Sequence, residues 1–360
     1  MKHLQPITLA IAALATATAA QAQSSVTVSG IADAAVRVVS NEDRGSVKSL
    51  VSGSNSTSRL VFRGTEDLGD GLSAGFHLEH GIRLDSGEAV QSTQFWDRRS
   101  TVSLASRTLG ELRAGRDFVP SYVAWTRHDP FSYVGVGGST NLISATPNGP
   151  IRNTFGTAAN TVVRASNAVQ WIAPAGLGGF EGGLLVAAGE GGTAASGQAK
   201  VVGLRAGWAG SGFHVGGAYT RSENDRTDAG GVFKDATVGS GWDAGVVRVS
   251  LAWRRFDQAD AKQTNWMLGA WVPVGAGEVK LSYLKADFDG RVGRTNLGAN
   301  GSRQLAAGYV HALSKRTALY ATVARIDNDG ANALAIPGGA SGLAAGNSST
   351  GTELGLRHNF

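Results

Sequence analysis

Apolar and polar residues alternate with a period of two along nearly the whole chain. In the final segment Phe360, His358, Leu356 and Leu354 share one face, opposite Asn359, Arg357 and Glu353. That period belongs to strands, and a strand with one apolar and one polar face suits a membrane barrel with a polar interior. An aromatic closing such a strand is rare at the end of a soluble domain. The pattern predicts strands near 26–39, 58–66, 72–83, 95–105, 110–116, 162–172, 177–189 and 199–209. Eight more are expected near 211–223, 236–246, 247–256, 263–274, 277–288, 302–312, 316–327 and 350–360. The total is even, as single-chain bacterial barrels require. The expected fold class is all-β, a 16-stranded antiparallel transmembrane β-barrel whose closure leaves no sheet edge.

The connections alternate in length. Short ones at 67–71, 275–277 and 314–316 read as periplasmic turns, whereas polar Gly/Ser/Asn/Asp-rich ones at 40–57, 84–94, 224–234, 289–301 and 328–349 read as extracellular. The longest, about 117–160, is where function is expected, because structureless loops of that size are usually functional. Tryptophans at 171, 208, 242, 253, 266 and 271 lie in or beside predicted strands and fit interfacial girdles, or alternatively ordinary core positions.

The N-terminus changes the compartment. Lys2 and His3 precede an apolar run from Ile7 to Ala15, and Ala20-Gln21-Ala22 supplies a small-residue cleavage site. Residues 1–22 are therefore expected to be a signal peptide and 23–360 the barrel. The run is too short to span a bilayer, and no later segment approaches the ~20 apolar residues of a spanning helix. With 51 Gly, 8 Pro and no Cys, the composition suits tight turns, close-packed walls and an oxidising compartment.

Strand parity assigns the faces. Val26, Val28, Ala32, Ala34, Val36 and Val38 oppose Thr27, Ser29, Asp33 and Arg37, and Leu60 and Phe62 oppose Arg59 and Arg63. Leu72, Ala74, Phe76 and Leu78 oppose His77 and Glu79, and Val163, Val169 and Trp171 oppose Arg164 and Gln170. Charges facing hydrocarbon would cost about 2–4 kcal/mol each near the midplane, so they are expected to face inward. Unpaired ions in a closed core would cost several kcal/mol each, which a hydrated interior avoids. Sixteen strands also enclose more space than side chains fill. A water-filled pore follows.

At this point the chain resembles the general bacterial porins, the trimeric Gram-negative porin family, and especially their β-proteobacterial branch. The resemblance is carried by the blocks 58–69 and 74–79, by Gly115-Arg116, Asp129-Pro130-Phe131 and 164–170, and by the terminal Arg357-His358-Asn359-Phe360. It implies a homotrimer of barrels, each with its third extracellular loop folded inward, and wall arginines facing carboxylates on that loop. By resemblance, Arg59 and Arg116 are wall arginines of the constriction or its approach, Asp129 is the loop carboxylate and Glu79 an inward glutamate. Arg98 or Arg99 takes the place of a single wall arginine; alignment favours Arg98 and local parity leaves both open. Arg152 matches a basic residue just after the loop. Phe360 is, by resemblance, part of the signal read by the barrel-assembly machinery.

One departure bears on selectivity. Between 117 and 151 the acids are Asp117 and Asp129, without the further loop carboxylates of related porins. Arg37, Arg59, Arg63, Arg98, Arg116 and Arg164 outnumber the expected opposing acids Asp33, Glu79 and Asp129. The expected function is passive diffusion of small hydrophilic solutes with a preference for anions. The alternatives are a substrate-specific channel for small anionic nutrients and a structural or adhesive barrel. Gly135-Val136-Gly137-Gly138 completes no phosphate-binding fingerprint, and the Asp-rich stretches at 287–290 and 327–330 lack a full calcium-loop spacing. No cofactor, metal, catalytic group or nucleic-acid partner is expected; the expected surroundings are outer-membrane lipid and lipopolysaccharide.

Overall fold

The computed structural model describes residues 25–144, 162–189, 200–223 and 232–360. Residues 1–22, read as a leader, and Arg152 lie outside the described residues. The strands are β1 (Ser25–Asn41), β2 (Gly45–Ser52), β3 (Arg59–Gly69), β4 (Leu72–Gly81), β5 (Arg99–Ser106), β6 (Gly110–Phe118), β7 (Arg164–Ile172), β8 (Phe180–Ala187) and β9 (Val201–Gly210). They continue as β10 (Phe213–Glu223), β11 (Val232–Asp243), β12 (Arg248–Gln258), β13 (Ala261–Val274) and β14 (Gly277–Asp289). The two-residue pair β15 (Arg291–Val292) and β16 (Thr295–Asn296) forms its own small ladder, and β17 (Gly301–Ala312), β18 (Thr317–Asp329) and β19 (Ser349–Asn359) complete the wall. Two short helices, α1 (Pro120–Thr126) and α2 (Thr140–Ile143), follow β6.

Neighbours in the wall pair antiparallel, and β1 closes the sheet against β19 from Ile31↔Asn359 to Asn41↔Ser349. On its other edge β1 meets two partners end to end. Its outer half pairs with β2 and its inner half with β3, so the pair occupies a single wall position and the barrel is sixteen-stranded. The 40–57 segment expected as a loop is thus largely wall: a tight turn at 42–44 joins β1 to β2, and 53–57 leaves the sheet. Polar Lys48-Ser49 hides this strand in the sequence, although Leu50 faces outward opposite Val36. The chain departs at Gly53, whose φ of +76° suits a residue without a Cβ.

The alternation is realised as predicted. Val26, Val28, Val36, Val102, Leu184, Leu268 and Leu305 are exposed on the outside, while Asp33, Thr101, Leu185, Met267 and Gln304 are buried inside. The fourth wall strand starts at Arg99 rather than near 95, so Arg98 precedes it. Near the short turns, Trp171 and Trp242 point outward, and Trp242 stacks on Phe213. Trp271 does not join this girdle: it is 5 % exposed and points inward beneath Arg248.

Candidate functional site

The connection after β6 enters the barrel at Val119 and runs along the inner wall from β9 to β19. Its seat is built from inward glycines. A Cβ on Gly203 of β9 would lie 2.9 Å from Pro120, one on Gly269 of β13 would lie 2.9 Å from the His128 oxygen, and one on Gly351 of β19 would lie 2.8 Å from Val136. At Gly239 of β11 it would run into the His128 ring. Into this trough the loop places Trp125, Phe131, Tyr133, Val136, Leu142 and Ile143, against Phe233, Phe256, Met267, Leu284 and Ile326 of the wall. Burying each such side chain contributes about 1.5–3 kcal/mol, so a hydrophobic core lies inside the barrel itself, along one side.

Polar anchors fix the register of the loop on that seat. Arg254 of β12 and Asp235 of β11 form a two-bond pair at 2.9 and 2.7 Å with both side chains fully buried. Ser121 donates to the same Asp235 carboxylate at 2.6 Å, and Arg254 donates to the Val162 carbonyl at 3.1 Å. Farther along, Asn141 donates to Gln304 at 2.9 Å and Gln304 to the Gly137 carbonyl at 2.9 Å. At the far wall Glu353 accepts from the Val136 N–H at 3.1 Å and from Arg37 at 2.6 Å. Arg37, expected on the pore wall, thus holds the loop through Glu353 and also donates to Ser54 at 3.2 Å.

Two acids expected to oppose the arginines point elsewhere. The Asp129 carboxylate accepts the N–H groups of Phe131, Tyr133 and Ser139 at 2.8, 3.0 and 3.0 Å, and the Ser139 hydroxyl at 2.6 Å. These bonds close a turn in which Ser132 and Tyr133 hold left-handed φ values of 53° and 69°. Asp129 is 2 % exposed, and burial pushes its carboxyl above the ordinary value while the four donors work against that shift. Asp33 likewise accepts from the N–H groups of Ser54, Asn55 and Ser56 at 3.1, 3.1 and 2.8 Å and from the Tyr320 hydroxyl at 2.6 Å. Both carboxylates hold chain segments in place and neither faces the basic wall. Free backbone N–H groups nearby explain this, since a charged acceptor bonded to several donors is well satisfied away from water.

The basic side lies opposite the docked loop, on β3 to β7. Arg59 and Arg98 both contact Glu79, the former at 3.4 Å, and His77 contacts it at 3.2 Å. Arg99 reaches Asp117 at 2.9 Å, so both members of the Arg98–Arg99 pair turn inward. Arg113 bridges Asp117 at 2.6 Å and Glu111 at 2.8 Å. Arg164 lies 4.4 Å above the Phe118 ring, which stacks on Tyr122 of the loop. Arg116 sits where the β6–β7 register shifts and donates to the Asp97 carbonyl at 2.8 Å and the Ser166 hydroxyl at 3.0 Å. Arg63 projects inward and is exposed.

Several interior groups escaped the sequence reading. Asp235 and Arg254 are the buried anchor, and Arg248 and Lys280 add inward cations on the side of the loop, beside Arg357, which the alternation of the last strand already places on the polar face. Parity carried the signal for each: Leu251 and Trp253 outward places Arg254 inward, and Glu353 inward places Arg357 inward. Among the described residues Arg63, Arg164, Arg248, Lys280 and Arg357 take part in no ion pair.

A closed barrel with an apolar exterior, a charged interior and a loop docked inside it defines a channel-forming protein of the outer membrane. The chain belongs to the Gram-negative porin family, whose model matches residues 8–331. It is 39% identical over 382 residues to outer membrane porin protein 32 of Delftia acidovorans, covering 98% of this chain and 99% of that protein. It is 27% identical to an outer membrane porin of Bordetella pertussis over 76% of this chain and 77% of the other. The solved anion-selective porin from Comamonas acidovorans superposes with a TM-score of 0.79 at 33% identity, covering 94% of this chain and 100% of that one. The protein is an outer-membrane porin, a water-filled channel for passive diffusion.

Proposed function

We propose that this porin prefers small anions, acts as a homotrimer and is exported by a leader cleaved after Ala22. One observation carries the ionic preference: the interior cations outnumber the carboxylates left to oppose them. Arg59 and Arg98 share the single Glu79 carboxylate, and Arg63, Arg164, Arg248, Lys280 and Arg357 take part in no ion pair among the described residues. Asp33 and Asp129 are meanwhile covered by their own donors. A low-dielectric wall around a narrow neck focuses this field and enriches counter-ions of opposite sign. The likeness to an anion-selective porin supports the same reading. Neutral solutes feel no net force and pass by size; dicarboxylates and phosphate are suitable charged cargo.

The test is the zero-current potential across a planar bilayer holding the reconstituted protein between unequal KCl solutions. It should move toward the chloride equilibrium potential. Replacing Arg59, Arg98 and Arg164 together with glutamine should move it back toward zero. A potential near the potassium equilibrium value for the unmodified protein would refute the reading.

A further inference from the structure

The docked loop turns an apolar face toward the open channel. Pro120, Ser121 and Trp125 of α1 are buried against the wall, which leaves the opposite side of this seven-residue helix to the lumen. Val123 stands there 36% exposed, with Tyr122 partly buried beside it. Tyr122 lies almost flat on Phe118, the ring centres 4.9 Å apart and the planes 13° from parallel, so the two rings form one block at the root of the loop. The Thr126 hydroxyl donates back to the Tyr122 carbonyl at 3.0 Å and is spent within the helix.

Guanidinium groups surround this block. Arg59, Arg98 and Arg164 all lie within electrostatic reach of the Tyr122 phenol. Arg164 rests 4.4 Å above the Phe118 ring, and its buried Nε makes no hydrogen bond among the described residues. An arginine stacked through its face keeps its in-plane N–H groups for a carboxylate. The acids of the loop do not compete for them, because Asp129 is bonded within its own turn and Asp117 is held by Arg99 and Arg113. The passage is thus bounded by two unlike surfaces, one cationic and one apolar. A small inorganic anion loses hydration water on the apolar side and finds no replacement there. A monocarboxylate with a hydrocarbon body matches both, its oxygens on guanidinium groups and its body against the rings, where apolar area leaves water. Such contact speeds transit as long as it is weak enough to release the solute.

We propose that Tyr122 and Val123 determine the specificity of this pore among anions, favouring monocarboxylates that carry an apolar body over smaller, fully hydrated ones. The inference rests on the anion preference proposed above and adds a rank order to it. That order runs against size.

The porin is reconstituted in a planar bilayer between equal concentrations of sodium benzoate and sodium acetate, at a neutral pH where both acids are ionised. Sodium is the same on both sides, so the zero-current potential reads the permeability ratio of the two carboxylates. Sieving by size favours acetate, whereas benzoate is expected to be favoured here. Tyr122→Ser should lower the benzoate-to-acetate ratio by about threefold, the loss of a partly buried ring contact. Tyr122→Phe should retain the ratio of the unmodified protein. Val123→Leu separates contact from sieving without disturbing the buried side of α1, since the larger side chain narrows the passage yet extends its apolar face. The ratio should rise in this variant, and sieving would make it fall. Acetate favoured by the unmodified protein would overturn the proposal, as would a ratio lowered by Val123→Leu. Equal losses in Tyr122→Phe and Tyr122→Ser would also overturn it, by assigning the preference to the hydroxyl. The same membranes under unequal KCl read the ionic preference on its own. A chloride-selective channel that favours acetate overturns this inference alone, and a potassium-selective one overturns both.

Discussion

Asp129 and Glu79 are both interior carboxylates, yet they do different work. Glu79 is shared by two guanidinium groups and an imidazole at the basic wall, while Asp129 is consumed by four donors of its own loop. Asp129→Asn should therefore weaken the turn by about 1–3 kcal/mol, since a buried donor loses its charged acceptor. It should leave the sign of the ion preference unchanged, which reversal potentials measure directly; a change as large as that from Arg98→Gln would place the carboxylate in the pore after all. Gly239 offers a steric counterpart. Gly239→Ala drives a methyl group into the His128 ring, and overpacking of this kind costs about 1–3 kcal/mol. The expected readout is a loop cleaved faster by protease in an otherwise heat-modifiable barrel.

At the scale of elements, the docked loop carries a pH dependence. The His128 imidazole titrates at about 4, lowered from 6.5 by burial first and then by the neighbouring His214 ring and Arg127. Also facing it is Glu181, which contacts both Arg127 and His214. A histidine lowered in the folded state stabilises it fully above the ordinary value, and that stability is lost as pH falls from 6.5 toward 4. Acidification across that window should loosen the loop and raise current noise, and His128→Gln should remove most of the effect. If the variant and the unmodified protein respond alike, the imidazole is not the switch. The strands themselves were legible because each has one wet and one oily face. Residues 45–52 were not, since Lys48 and Ser49 interrupt the alternation and their pairing with β1 supplies the missing information. The seat of the loop was equally hidden. Glu353 could be placed inward by parity, but its partner Val136 is 217 residues away, and no local pattern links them. Alternation for Asp33 and resemblance for Asp129 place both among pore carboxylates because a sequence does not show which backbone N–H groups will be left without partners.

For the whole molecule, the net interior charge predicts how selectivity responds to salt. The Debye length shrinks from ~10 Å at 0.1 M to ~3 Å at 1 M, so the anion preference should fade across that range. Reversal potentials at a fixed concentration ratio but rising mean salt would measure this, and a constant preference would point to selection by size. Closure has its own marker in Phe360, which exchanges backbone bonds of 3.0 and 3.1 Å with Gly30. Removing Phe360 should reduce surface levels far more than it alters conductance of the protein that does assemble; normal surface levels would exclude that role.

The docked loop also constrains the order of events in folding. Its seat is made by β9 to β19, all of which follow it in the chain. Closing the wall joins Ile31 to Asn359, so the two ends of the chain must meet before the interior is defined. Trp125, Phe131 and Ile143 are therefore synthesised long before the surface that covers them exists. Contacts so distant in sequence form late, after much loop-closure entropy has been overcome. The porin should accordingly mature in two stages, a closed cylinder with an undocked loop and then the constricted channel. Tryptophan burial should lag the appearance of strand signal during refolding, and the early species should conduct more current than the finished one.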